Sequence, residues 1–399
     1  MSAADPSAQT PPANPKPPKL LFLVTEDWAF WRHRRPMALA ALADGFEVAV
    51  ACRVNAHRDQ IEALGIRVIP LPFNRRGVNP FGELRLLSRV IGLLRRERPD
   101  LIHNVAIKPA VHGGIAAWCA GAPPVATTMA GMGYVYISDD LKARLLRPLI
   151  TGLFRWILDK PRRVLMVQNA DDKAFFAGTA ARKGILAAER VSLVRGSGVD
   201  TQSLQPLAEP PQPEGSPVRF AYVGRMLTDK GLVELADAAR ILKAEGAPVE
   251  IVLIGEPDPG NPKSIPEERL KSWEAEGLLS WWGHRDDMAE VWGQCHGAVL
   301  PSYREGLPKA LLEAGACGRA SITTDAPGCR ELVVDGETGL LVPVRSVEPL
   351  AEALRRLAQD PARRQAMGLA ARERVVAGFS AEAIGRETVA VYRRLLADR

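Results

Sequence analysis

Two carboxylates eight residues apart, Glu305 and Glu313, flank a segment suited to receiving an anion. The run from Gly297 to Leu300 is apolar and reads as a short buried strand. Pro308 sits where a helix can begin, because the first helical turn makes no use of its missing N–H. A strand, a Glu-Gly loop and a helix start leave free backbone N–H groups and the positive end of a helix dipole facing outward. With a helix beginning near Pro308, Glu313 lies roughly 7.5 Å along its axis, so one acid reaches the mouth of the site and the other its flank. Hydroxyl groups, more than phosphates, are the natural partners of carboxylates. A ligand with phosphate in the middle and polyols at both ends fits this order, and a nucleotide sugar is such a ligand. Taken singly, each acid also reads as an ordinary charge, Glu313 on a solvated helix face and Glu305 in a loop.

A second segment supplies cations. The strand ending at Val223 runs into Gly224-Arg225-Met226-Leu227-Thr228-Asp229-Lys230-Gly231. The glycine allows close approach, and a planar guanidinium with a compact ammonium five residues on suits a diphosphate. The plainer reading is a surface loop with ordinary basic residues. The segment matches neither the Walker A pattern nor GxGxxG, which weakens P-loop and nicotinamide readings. A third loop, Gly283-His284-Arg285-Asp286-Asp287-Met288, follows an apolar strand at the same sheet end. Its backbone can face a nucleotide base, while Asp286 and Asp287 read equally well as the capped start of a helix.

These loops must be carried by alternating strands and helices. From Leu20 onward, short apolar runs (20–25, 46–52, 66–71, 101–103, 125–128, 164–168 and 191–194) alternate with helical stretches such as 36–43, 81–98 and 109–120. A Pro-rich interval at 201–217 interrupts the rhythm, which restarts with strands at 218–223, 249–254, 278–282, 298–300, 321–324 and 339–342 and helices at 231–244, 308–316 and 347–358. The pattern predicts two doubly wound, Rossmann-like α/β domains with parallel sheets facing across a cleft. The expected divisions are a disordered Pro-rich tail at 1–19, a first domain at 20–200, a linker at 201–217 and a second domain at 218–379. A C-terminal helix at 380–399, with Ser380 as N-cap, is expected to return toward the first domain.

Composition narrows the classes. A chain of 399 residues, 47% hydrophobic and 25% charged, is that of a soluble globular protein with room for two cores. Its five cysteines are scattered without a CxxC pair, which argues for a reducing compartment and against structural zinc or a disulfide framework. No run of 18 apolar residues occurs, and the apolar stretch after Lys19 is too short for a signal peptide, so a cytoplasmic protein is expected. The formal charge of +6 suits phosphorylated ligands or an anionic membrane surface. No nucleic-acid-binding signature accompanies it, and no nucleic acid is expected as partner.

In combination, Gly224-Arg225 with Lys230-Gly231, and Glu305 with Glu313 inside PSYREGLPKALLEAGACG, resemble the donor half of retaining glycosyltransferase family 4, whose fold is GT-B. Asp325-Ala326-Pro327-Gly328-Cys329-Arg330-Glu331 and Asp335-Gly336-Glu337-Thr338-Gly339-Leu340-Leu341-Val342 extend the likeness across most of 218–399. The resemblance implies that Arg225 and Lys230 bind the donor diphosphate and assist its departure, with Glu305 on the sugar hydroxyls and Glu313 on the ribose. Gly224, the backbone amides of Gly306 and Leu307, Pro308, and the loop with His284 and Arg285 would complete the donor site. It implies no cofactor and no metal, the nucleotide sugar being a substrate, and the chain has no Asp-x-Asp triplet.

The first domain is similar to family members that build capsule, O-antigen or other lipid-linked glycans. Glu26-Asp27-Trp28-Ala29-Phe30-Trp31-Arg32-His33-Arg34 is expected as a loop at the cleft, and Ile102 to Pro109, His112-Gly113-Gly114 and Ala130 to Tyr134 carry the same likeness. His33, Arg34 and Lys108 are the acceptor-side candidates, with a structural histidine the plainer reading of His33. Many family members carry a histidine after the strand matching 125–128; here Thr128 and Met129 stand there. The implied partners are a nucleotide sugar, UDP-linked and carrying an N-acetylhexosamine or hexose, and a lipid-linked or growing glycan.

Residues 141–163 mix Leu, Ile, Phe and Trp with seven Arg or Lys, a basic amphipathic pattern suited to an anionic membrane surface. A core-packed helix with a solvated basic face explains it too, and Pro148 is expected to interrupt the helix. Peripheral attachment at the inner face of the cell membrane follows from the first reading. Two other functions share parts of the pattern, a sugar-nucleotide 2-epimerase of the same architecture and a non-enzymatic basic protein binding nucleic acid or membrane.

Overall fold

A computed structural model describes residues 16–73, 79–129, 136, 141–179, 182–213 and 215–397. Residues 1–15 of the Pro-rich tail and the segment from Ala130 to Tyr134 lie outside them.

The first domain is a seven-stranded parallel sheet of order β3-β2-β1-β4-β5-β6-β9. Its strands are β1 (Lys19–Glu26), β2 (Glu47–Arg53), β3 (Arg67–Pro70), β4 (Leu101–Val105), β5 (Val125–Thr128), β6 (Arg163–Val167) and β9 (Val191–Leu193). A small antiparallel hairpin, β7 (Gly178–Thr179) with β8 (Arg182–Lys183), sits outside the sheet. β4, β5 and β6 are buried along their whole length because helices cover both faces, as a parallel sheet requires.

The second domain is a six-stranded parallel sheet of order β12-β11-β10-β13-β14-β15. It comprises β10 (Val218–Val223), β11 (Val249–Ile254), β12 (Ser280–Trp281), β13 (Gly297–Leu300), β14 (Ala320–Thr324) and β15 (Gly339–Val342). In both sheets the strand order reverses beside the first strand of the domain, and the ligand loops lie at the carboxyl ends there.

The interval at 201–217 is strapped to the second domain. Glu209 receives the buried guanidinium of Arg364 in a fork at 3.0 and 2.8 Å, and Arg319 donates to the carbonyls of Leu207 and Ala208. The last helix, Ala381–Ala397, crosses back to the first domain, where Ile384, Val389, Val391, Tyr392 and Leu395 join the core built on β1, β2 and β4. The Ser380 hydroxyl accepts from the amide of Ala383 at its start.

Two expectations need correction. Residues Asp27–His33 form a helix directly after β1, not a loop, and a second helix, Arg35–Ala43, follows at once. Asp27 starts the first of these fully buried, its carboxylate accepting from the amides of Asn55, Ala56 and His57. The helix Leu141–Leu158 also runs unbroken through Pro148. Proline removes one hydrogen bond and crowds one carbonyl, a cost that packing of the helix on its domain outweighs.

Candidate functional site

The donor-side loops meet where β10 and β13 end. After Val223, the chain turns through Gly224 and Arg225 and a single 3-10 turn, Thr228–Lys230, before the helix Leu232–Ala244. Gly231 makes the junction at φ +73°, and a Cβ there would stand 2.1 Å from the carbonyl oxygen of Pro301, so only glycine allows the two loops to approach. That approach brings Lys230 Nζ to 2.5 Å from Glu305 Oε1. The same carboxylate oxygen accepts from the Ser302 hydroxyl at 2.6 Å. Arg225 lies nearby, half exposed, with NH1 3.0 Å from Asp258 Oδ2, and its backbone carbonyl accepts from the buried Tyr222 hydroxyl at 2.7 Å.

The Glu305 loop is held by its own domain at several points. The amide of Glu305 donates to the Pro327 carbonyl at 3.0 Å, Thr324 donates to the Ser302 carbonyl, and Tyr303 donates to Glu234 at 2.6 Å. Pro308 is the N-cap residue, one position outside the helix Lys309–Ala316. The amides of Gly306 and Leu307, just ahead of that N-terminus, have no hydrogen-bond partner among the described residues. Glu313, one turn into the helix, is buried, with Oε1 3.3 Å from Lys309 Nζ. Burial pushes its carboxyl above the ordinary range, and the Lys309 ammonium only partly opposes that.

The remaining donor-side candidates follow β12, where the Gly283 carbonyl accepts from the Gly255 amide at 2.7 Å and Gly255 in turn abuts the Gly224 carbonyl. His284 Nε2 is 3.2 Å from Asp286, and Arg285 forks onto Asp287 at 2.8 and 2.5 Å, so both side chains are engaged by acids of their own loop. Asp287 occupies the N-cap position of the helix Met288–Gly293 without making a capping bond, its carboxylate being turned to Arg285.

Of the acceptor-side candidates, His33 lies near enough to the donor side to feel the charges of Lys309 and Arg225. Burial, together with the charges of Arg34, Lys309, Arg32 and Arg225, takes its imidazole down to about 3, so it is neutral at physiological pH. Arg34 does not line the cleft. It is 1% exposed, its Nη1 lies 3.5 Å from the Met37 sulfur, and Nε has no hydrogen-bond partner among the described residues. Around it lies a buried chain in which His103 Nδ1 is 2.6 Å from the Tyr392 hydroxyl and Nε2 is 2.6 Å from the Thr128 hydroxyl. Thr128 therefore serves as the partner of a buried histidine. Lys108, at the start of the helix Ile107–Cys119, is 2.6 Å from Glu83, whose other oxygen is 3.1 Å from His112 Nε2.

Sequence reasoning missed a set of polar residues that joins the two domains. Asn169 Nδ2 donates to the Gly306 carbonyl at 2.9 Å, Asp172 pairs with Arg304, and Glu331 takes the Ala170 amide at 2.6 Å and Arg195 at 3.1 Å. Asn-Ala-Asp-Asp directly after an apolar strand signals a capped helix, and Asn169 is that cap, accepting from the Asp172 amide at 2.8 Å. The signal says nothing of the second partner across the cleft.

A family model described as "Glycosyl transferase 4-like" matches residues 19–169, and one described as "Glycosyl transferases group 1" matches residues 217–360. The chain is 27% identical over 349 residues to the N,N'-diacetylbacillosaminyl-diphospho-undecaprenol alpha-1,3-N-acetylgalactosaminyltransferase of Campylobacter jejuni, covering 85% of this chain and 89% of that protein. It is 26% identical to the capsular polysaccharide biosynthesis glycosyltransferase CapM of Staphylococcus aureus, covering 83% of this chain and 85% of the other. Among solved structures, Anabaena Alr3699/HepE in complex with UDP superposes with a TM-score of 0.72 at 17% identity, covering 94% of this chain and all (100%) of that one. Sucrose-phosphate synthase from Thermosynechococcus elongatus superposes with a TM-score of 0.75 at 22% identity, covering 96% and 100%.

Proposed function

The chain is a family 4 glycosyltransferase with the GT-B fold, and we propose that it moves a sugar from a UDP-linked donor to a hydroxyl of a lipid-linked or growing surface glycan, with retention and without a metal. The single observation that carries the donor half is the Lys230–Glu305 pair beside the unpartnered amides of Gly306 and Leu307. An ammonium, two amides and a helix N-terminus converge where a diphosphate accumulates charge as it leaves. Arg225 adds a second cation at the loop mouth. The bond from the anomeric carbon to the diphosphate oxygen breaks, the bond to the acceptor oxygen forms on the same face, and UDP departs with the electron pair. The acceptor proton leaves on the departing diphosphate. Glu305 holds sugar hydroxyls, Glu313 the ribose, and closure of the cleft limits hydrolysis.

The acceptor class rests on the relatives, whose names specify undecaprenyl-diphosphate-linked and capsular glycans, and the UDP reading on the UDP bound to Alr3699/HepE. A peripheral membrane site suits such an acceptor. Leu141, Leu145 and Leu149, at helical spacing, are 68–72% exposed, Trp156 continues the helix, and Trp118 packs edge-on to it at 6.1 Å. Among the described residues no helix is long and apolar enough to cross a membrane. This apolar stripe with Arg144 and Lys160 nearby matches an interfacial helix. Co-sedimentation with vesicles containing anionic lipid at low salt, lost in Leu145→Glu/Leu149→Glu, tests it; equal binding by both proteins contradicts it.

The transfer itself is tested by incubating the purified chain with UDP-N-acetylhexosamines and UDP-hexoses and an undecaprenyl-diphosphate-linked saccharide. A new glycolipid with the donor's anomeric configuration by NMR is the expected product. Epimerised UDP-sugar formed without acceptor, and no glycolipid with it, contradicts transfer.

A further inference from the structure

We propose that Asn169 is a positioning residue through which the first domain aims the two backbone amides of the diphosphate site. The inference rests on the donor-binding reading above and extends it to a residue of the opposite domain. Asn169 Nδ2 lies 2.9 Å from the Gly306 carbonyl oxygen and 3.4 Å from that of Glu305. Each of these carbonyls shares a planar trans peptide with the next residue's amide: Glu305 C=O with Gly306 N–H, and Gly306 C=O with Leu307 N–H. In a trans peptide the N–H points opposite to the C=O. Fixing the two carbonyl oxygens toward the first domain therefore turns the two N–H groups away from it, into the donor site. A donor on a carbonyl also polarises the peptide and strengthens its N–H as an anion ligand.

The clamp is itself rigid. Asn169 Oδ1 caps the helix Ala170–Ala177 by accepting from the Asp172 amide at 2.8 Å, and Nδ2 also lies 3.2 Å from Asp172 Oδ2. Rotating the amide by half a turn would set its oxygen against two carbonyls and a carboxylate, so the network fixes its orientation. The flanking residues of the loop are held from the same side. Arg304 pairs with Asp172, which is 2% exposed, and Leu307 packs so closely on Gly196 that a Cβ there would stand 2.7 Å from Leu307 Cδ2. Four consecutive loop residues, 304 to 307, thus each touch the first domain, while Lys230, Ser302 and Pro327 hold Glu305 from the second. Movement of one domain on the other reaches the diphosphate amides through Asn169.

Asn169→Asp and Asn169→Ser separate the two duties of the side chain, since both keep the capping oxygen; Asp removes the donors and Ser, uncharged, withdraws from the distant carbonyls. UDP affinity by calorimetry and kcat for transfer are expected to fall up to ~100-fold in both variants, with KM for the lipid-linked acceptor unchanged; Asn169→Ser keeps a melting temperature close to that of the parent, while Asn169→Asp, whose second oxygen faces those two carbonyls and the Asp172 carboxylate, melts lower. Asn169→Ala loses the cap as well and melts lower. Parent-like UDP affinity and kcat in Asn169→Ser overturn the proposal, as does a loss confined to acceptor KM. Failure of the parent to bind UDP would instead overturn the donor reading, which keeps the two failures distinct.

Discussion

Lys230 Nζ and Glu305 Oε1, 75 positions apart in the chain, stand 2.5 Å from each other. The contact ties the cation of the diphosphate site to the acid assigned to the sugar, so neither can shift without the other. An ammonium has three donors, and with one given to Glu305 two are left for phosphate oxygens. Lys230→Ala removes both the cation and the anchor of Glu305. Its kcat for sugar transfer is expected to fall by about 10²–10³, with the fold retained by circular dichroism. Activity within a factor of two of the parent contradicts the assignment.

Gly328 stands behind the same loop at φ +81°, and a Cβ on it would meet the Glu305 carbonyl oxygen at 2.5 Å and that of Gly306 at 2.7 Å. Gly318, at φ +72°, has nothing within 4 Å of the same point. Alanine at either position carries backbone strain of order 1–3 kcal/mol, but only Gly328→Ala displaces the loop. Urea denaturation is expected to show both variants destabilised, with loss of UDP affinity in Gly328→Ala alone.

Arg34 is a guanidinium at 1% exposure whose contacts are a methionine sulfur and neutral neighbours, among them His103, which burial keeps uncharged. Burial lowers its pKa to about 10, with Tyr392 pulling the other way. A charge in such surroundings costs stability unless paired. Arg34→Met, of similar length, is expected to melt no lower than the parent, and higher if the packing closes. A fall of several degrees contradicts the reading of Arg34 as an uncompensated buried charge.

His33 gives a pH dependence with a defined sign. Its pKa is about 3 in the folded chain, because of burial and then the surrounding cations, against an ordinary 6.5 when unfolded. Between those values the unfolded chain binds a proton that the folded chain does not, so stability declines as pH falls through the window. His33→Gln removes this contribution, and its urea midpoint is expected to change less between pH 7 and pH 4.5 than the parent's. Identical slopes contradict the placement. The same neutrality means that His33 meets a ligand as a hydrogen-bonding ring and not as a cation.

The parallel rhythm of both domains and the loop with Glu305 were readable because they rest on local patterns: apolar runs, a proline at a helix start, glycines at forced turns. Gly231, expected as the first residue of a helix, is instead the left-handed junction ahead of it, where its backbone angle and its neighbour at Pro301 both exclude a side chain. What could not be read depends on distant partners. Asp27 is expected in a loop at the cleft, yet its buried carboxylate accepts from the amides of residues 55–57 and it starts a helix. Arg34 adjoins His33 in sequence but points into the core made with the C-terminal helix. Pro148 breaks a helix by local rules, and packing overrode them. Asn169 reads as a cap, which it is; its grip on the Gly306 carbonyl exists only because a second domain faces it.

Donor binding at the Lys230–Glu305 site can be measured without knowing the acceptor. Thermal denaturation of the parent in a panel of UDP-, GDP- and TDP-sugars should show the largest rise in midpoint with a UDP-sugar, since a ligand at 100 times its Kd adds about 2.7 kcal/mol to stability. Lys230→Ala, folded in its absence, should lose that rise. An unshifted parent, or a Lys230→Ala variant that shifts as far as the parent, would contradict the account.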